Sequence, residues 1–165
     1  MSSPESRLQP TSDPVELLHS RSHGVLVTLK RDGRPQLSNV GYRFDPSTGL
    51  IRISVTDDRA KTRNLRRDPR ASFYVGSPDA RAYVVAEGWA TLSPVAVDPD
   101  DETVAELVEL YRALAGEHPD WAEYRAAMVA DRRLVVRIQV ERVYGYSDAA
   151  GVVSRTFTPT PAVPS

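Results

Sequence analysis

Turn signals at hairpin spacing punctuate the region between residues 24 and 93, and this limits the fold more than any other feature of the chain. Residues 24–30 (GVLVTLK) are rich in β-branched side chains and read as a strand. Asp32-Gly33 follows, a pair suited to a tight hairpin. Residues 35–44 form the second expected strand, 45–49 (DPSTG) a turn, and 50–56 (LIRISVT) the third strand. Residues 70–75 are the fourth, 76–79 (GSPD) turn the chain again, and 82–93 make a long fifth strand. Gly88 inside that strand marks a bulge or a close backbone approach. Residues 134–143 alternate and form the sixth. Before it, Val104, Leu107, Val108, Tyr111, Leu114 and Ala115 recur at helical spacing up to Gly116. Pro119-Asp120-Trp121 then opens a second helix reaching about Ala130. The expected fold is mainly β, of the α+β kind: a small antiparallel barrel of about six strands with peripheral helices.

The flanks are simpler. Residues 1–12 are polar and are expected to form a disordered arm. Asp13-Pro14-Val15-Glu16 reads as a capping box with proline at the first helical position, and the helix it opens stops near Gly24. One domain is expected over 13–146, followed by a Thr/Pro-rich tail over 147–165 with a short strand at 152–157. A chain of 165 residues suffices for one domain with a real core. The formal net charge of −1 gives no global attraction to nucleic acid or to an anionic membrane. With no cysteine, disulfides, thiolate metal sites and a cysteine nucleophile are excluded. The polar start lacks the apolar segment of a secretory signal, and a cytoplasmic location is expected.

Residues 57–69 (DDRAKTRNLRRDP) carry the densest charge. Aspartates suited to an N-cap open the segment and a proline closes it, so it reads as a short helix. Arg59 faces Arg63 and Arg63 faces Arg67 at helical spacing, pairs that oppose helix formation by about 0.2–0.5 kcal/mol each. Arg59 and Lys61 also occupy the first turn, the wrong end of the macrodipole for a cation. A bound anion removes both objections, because first-turn N–H groups are unpaired and suit phosphate. A solvated, salt-bridged basic helix is the alternative. No aromatics interleave these cations, which speaks against a nucleic-acid platform.

Conventional catalytic machinery is absent. His19 and His23 are four apart but lack the carboxylate of a metal-binding H-E-x-x-H, and surface or cap roles suit them better. Neither a nucleophile elbow nor a Gly-rich nucleotide loop occurs. Chemistry in such a chain is normally borrowed from a cofactor.

Residues 24–28 (GVLVT), 32–40 (DGRPQLSNV), 59–71 (RAKTRNLRRDPRA) and 86–88 (AEG) together resemble the pyridoxamine 5'-phosphate oxidase-like superfamily. Within it, they resemble the actinobacterial flavin/deazaflavin oxidoreductases of class B, which use coenzyme F420. The resemblance implies a split β-barrel of the FMN-binding type, a homodimer with cofactor sites at the interface, and a small-molecule substrate. It implies no nucleic-acid or membrane partner and no metal. By it, Arg59, Ala60, Lys61 and Thr62 hold the cofactor phosphate. Gln36, Ser38 and Asn39 line the ring system, with Ser54 and Val55 on a neighbouring strand and the 83–88 strand of the other subunit closing the pocket. Arg63, Arg66 and Arg67 extend the positive surface toward the oligoglutamyl tail of F420. The activity implied is an F420-dependent reductase that passes hydride to a small organic acceptor. An FMN-dependent oxidase or reductase, or a non-catalytic F420 carrier, is the alternative. Glu87 is read as an exposed strand position or a site residue, and Trp89 as a core aromatic. The tryptophan- and arginine-containing C-terminal segment of true pyridoxamine phosphate oxidases is missing, which speaks against vitamin B6 oxidation.

Overall fold

The computed structural model describes residues 13–161. The arm expected over 1–12 lies outside them. Asp13 caps helix α1 (Pro14–Ser20), its carboxylate accepting from the Val15 N–H at 3.0 Å, as the capping pattern predicts. Strands β1 (His23–Leu29) and β2 (Pro35–Gly41) form the hairpin announced by Asp32-Gly33, with Gly33 at φ 84. The expected second strand does not run through to Phe44. It breaks at Tyr42, and Arg43–Asp45 becomes a separate strand, β3. Tyr42 is fully buried, and its hydroxyl donates to the Leu18 carbonyl at 2.6 Å. That bond fixes the corner at which the chain leaves β1 and joins β4 (Leu50–Thr56).

Helix α2 (Ala60–Arg67) follows β4 and returns the chain to β5 (Arg70–Gly76) and β6 (Tyr83–Leu92). Helices α3 (Glu102–Ala115) and α4 (Trp121–Ala130) precede β7 (Arg133–Ser147), which β8 (Gly151–Thr156) pairs with in turn. All pairings are antiparallel, and the order along the sheet is β2-β1-β5-β6-β7-β4-β3. The length of β7 organises the sheet: one edge pairs with β6, and the other is shared by β4 along its first half and β8 along its second. The sheet therefore curls into a split barrel. Among the described residues the sheet has eight strands: the six expected for the barrel, one more because the second divides, and the expected tail strand, observed over Gly151–Thr156.

The curl encloses one apolar core. Ile51, Ile53 and Val55 alternate into it from β4, while Arg52, Ser54 and Thr56 face the other way. Outside β7, Val135 meets Val104, Leu107, Val108 and Met128, which seats the α3–α4 pair. Glu106 on α3 takes Arg52 at 3.2 Å and also bonds Arg137, pinning that pair to β4 and β7. The register shifts between Glu87 and Gly88, the bulge expected there. A Cβ on Gly88 would lie 2.0 Å from the Gln139 carbonyl oxygen, so only glycine allows that approach. The tail folds back: Phe157 packs edge-on against Phe44 at 5.7 Å, and Arg155 bonds Asp13 at 2.5 Å.

Candidate cofactor site

β2 and β4 approach each other without pairing, and α2 begins where β4 ends. The sequence-predicted residues lie on these three elements, though not all on one face. Helix α2 has Arg59 as its N-cap, with no side chain bonding its first turn. The aspartates expected to cap it do not. Asp57 instead takes Arg66 at 2.5 Å and Arg132 at 2.7 Å, and those two bonds, Arg132 first, hold its carboxyl below the usual range. The helix start is therefore left open to an outside acceptor.

Around that start the charge is one-sided. Arg59 donates through Nε to the Thr56 hydroxyl at 3.1 Å, leaving its charge uncompensated. The Lys61 side chain is half-buried and makes no hydrogen bond or ion pair among the described residues. Burial, then repulsion from Arg59 and Arg133, hold its ammonium below its ordinary pKa. Arg133 begins β7 and stands opposite Thr56 in the register. Its Nη1 donates to Ser54 Oγ at 3.3 Å, while its Nε is buried and makes no hydrogen bond among the described residues, its one ion pair being Asp131 at 3.9 Å. Nothing local in the sequence marked Arg133, because β-pairing alone carries it to Lys61.

The other predicted residues divide by face. Gln36 and Ser38 lie opposite the buried Thr28 and Leu26 and face inward. Thr28 donates to Gln36 Oε1 at 3.1 Å, and Asn64 of α2 donates to Thr28 at 3.1 Å, so a polar chain ties β2 to the helix. Ser38 Oγ is buried with no partner. Asn39 points the opposite way and is exposed. Ser54 joins the Arg133 group, whereas the Val55 side chain is in the core and can offer a ligand only its backbone. Ala60 is exposed in the first turn. Thr62 is fully buried, and its hydroxyl donates to the Thr56 carbonyl at 2.8 Å, anchoring the helix. Arg66 is committed to Asp57, while Arg63 and Arg67 line a cavity of about 270 Å³ with Arg31 from the β1–β2 turn.

The outward face of the sheet is strongly aromatic. Tyr74, Tyr83, Tyr144 and Tyr146 are exposed there, and Trp89 is 48% exposed instead of belonging to the core. Strand alternation puts its neighbour Ala90 inside, and the Trp89 indole donates to Glu141 at 3.0 Å. Beside it, a cavity of about 330 Å³ is lined by Val27, Ser72, Glu87, Gly88 and Arg142. Glu87 itself is half-buried.

These features leave donors that a phosphate-bearing ligand would satisfy. Among the described residues Lys61 and Arg59 lack carboxylate partners, α2 starts without a side-chain cap, and the buried Ser38 hydroxyl has bonding capacity to spare. Among the described residues no group of three or more His, Asp or Glu side chains is placed to hold a metal. No helix among them is long and apolar enough to cross a membrane.

The family model for pyridoxamine 5'-phosphate oxidase matches residues 13–147. The F420H(2)-dependent biliverdin reductase of Mycobacterium tuberculosis is 29% identical over 138 residues, covering 84% of this chain and 89% of that protein. A solved structure described as an F420 reductase superposes with a TM-score of 0.59 at 25% identity, covering 78% of this chain and 93% of that one. A heme binding protein from Mycobacterium smegmatis superposes with a TM-score of 0.64 at 26% identity, covering 90% of this chain and 59% of that one.

Proposed function

The chain belongs to the pyridoxamine 5'-phosphate oxidase family, and from that footing we propose that it is a coenzyme F420-dependent reductase acting on a small conjugated acceptor. The observation that carries the reading is the half-buried Lys61, repelled by Arg59 and Arg133 at an uncapped helix start, with no carboxylate to answer it among the described residues. The similarity to a reductase named for reduced F420 supports the deazaflavin, and the same relative's biliverdin makes a tetrapyrrole the first acceptor to test.

In this reading the residues bind, orient and shield. Lys61 and Arg59 neutralise the phosphate, helped by the N–H groups of the first turn. Ser38 Oγ, buried without a partner, would supply a hydrogen bond to the cofactor. Gln36, whose Oε1 accepts from Thr28 and Asn64, would help orient the ring from β2. When bound, the reduced deazaflavin supplies the hydride. No side chain in the cleft is required as an acid, and solvent can deliver the proton to the acceptor. The groove of Arg31, Arg63 and Arg67 suits the glutamyl carboxylates of F420 and has no counterpart in FMN. The aromatic face of β5, β6 and β7 is proposed to pack on a second copy. That would exclude water and bring Asn39 and the Tyr83–Gly88 segment to a shared site.

Side-by-side fluorescence titration with F420 and FMN, followed by turnover of reduced F420 with biliverdin, tests the proposal. F420 should bind more tightly than FMN, by a margin that shrinks at high salt. FMN binding as tightly at low salt would transfer the reading to a flavin enzyme. Binding without turnover of enones, quinones or tetrapyrroles would leave a carrier.

A further inference from the structure

We propose that Arg133, at the start of β7, is the third cation of the phosphate cradle and the residue that positions the phosphate from the side opposite α2. The inference rests on the cofactor reading above and adds a residue from a distant part of the chain.

Arg133 is poorly satisfied as the protein stands. Its Nη1 donates to Ser54 at 3.3 Å. The Nε–Nη2 edge, the fork that grips an oxyanion with two parallel bonds, makes no hydrogen bond among the described residues. The nearest carboxylate is Asp131, whose Oδ2 is 3.9 Å from Nε, beyond hydrogen-bond distance. Asp131 is 54% exposed, so that attraction is weakened by solvent. Asp57, the other carboxylate at this end of β4, is occupied on both oxygens by Arg66 and Arg132. Tyr124, from the helix packed on this side, has its hydroxyl committed to the Leu107 carbonyl at 3.1 Å. Lys61 and Arg59 add only like charge.

Buried donors without partners are uncommon and call for a reason. A structural arginine is normally held by carboxylates, as Arg52 and Arg137 are by Glu106. Arg133 has only the distant, solvent-weakened attraction of Asp131; it bonds Ser54 of β4 and is near enough to Lys61 to repel its ammonium. A phosphate lodged at the start of α2 supplies the missing acceptor. It also offsets the repulsion among the three cations by their shared attraction for one anion.

The test uses the full chain with Arg133→Gln and Arg133→Lys, beside Lys61→Ala. Affinity is measured by fluorescence titration for F420, for FMN, and for the deazaflavin riboside that lacks phosphate and tail. Arg133→Gln should weaken both phosphate-bearing ligands roughly tenfold or more. It should leave the phosphate-free riboside unchanged, and Arg133→Lys should recover part of the loss. A residue that merely shaped the barrel would weaken all three ligands alike, and that result overturns the proposal. So does Arg133→Gln binding F420 like the unsubstituted protein while Lys61→Ala binds it weakly, an outcome that spares the cofactor reading. If the unsubstituted protein binds neither F420 nor FMN, the cofactor reading falls, and inorganic phosphate decides for Arg133. Thermal protection by phosphate that Arg133→Gln abolishes supports the anion role, and equal protection of both proteins refutes it.

Discussion

Replacing Lys61 by glutamine should move two measurements in opposite directions. Without cofactor, the ammonium is half-buried between Arg59 and Arg133 and has no partner among the described residues, so it opposes folding. Its folded pKa lies below the unfolded value. Between those two values the unfolded chain binds more protons, and stability rises with pH. The destabilisation is therefore complete below the folded pKa and vanishes above the unfolded value. Glutamine removes it, so the cofactor-free variant should melt no lower than the parent and should lose the alkaline rise contributed by this group. With F420 the balance reverses. A charge-assisted bond to phosphate contributes about 1.5–3 kcal/mol, a roughly ten- to hundredfold change in Kd. The repulsion felt by the free lysine becomes attraction once the anion arrives, so the weakening should lie toward the upper part of that range at low salt. Calorimetry from pH 7 to 11 and fluorescence titration at two salt concentrations read both effects. A cofactor-free variant that melts lower, with F420 affinity unchanged, would refute the anion-site argument, because it would make Lys61 an ordinary structural side chain.

Three other substitutions probe the frame that holds the site. Gly88→Ala sets a methyl 2.0 Å from the Gln139 carbonyl oxygen, so the bulge must shift; a loss of at least about 1–3 kcal/mol is expected in urea unfolding, and an unchanged midpoint would contradict the close approach. Thr62→Val leaves the Thr56 carbonyl without its 2.8 Å donor and should cost about 1–3 kcal/mol; if stability is kept while phosphate affinity falls, Thr62 is a ligand and not an anchor. Tyr144→Asp places a charge in the outward aromatic face and should shift sedimentation from dimer to monomer with loss of F420 binding; a monomeric parent that binds F420 would end the shared-site reading.

Much of this fold is legible along the chain because its signals are local. β-Branched runs, the Asp32-Gly33 turn and the Asp13 cap each act within a few residues, and each element stands close to where those signals place it. Gly88 likewise announces a close approach by its own lack of a side chain. The unbalanced cations of α2 are visible too, since helical spacing alone sets Arg59, Arg63 and Arg67 on one side. The remainder depended on residues distant in sequence. Asp57 was free to cap α2 until Arg132 reached it from the turn before β7, and a carboxylate in two charge-assisted bonds has no reason to turn back to the helix. The break at Tyr42 follows from the Leu18 carbonyl, a partner supplied by packing. Ser38 and Asn39 are neighbours in sequence but separated by the pleat, and only the pairing with β1 decides which of them faces the split. Arg133 is the clearest instance. Alone it is one arginine beginning an alternating strand, and the anion role proposed for it depends wholly on the β4–β7 register that sets it opposite Thr56, because electrostatics depend on distance in space and not along the chain.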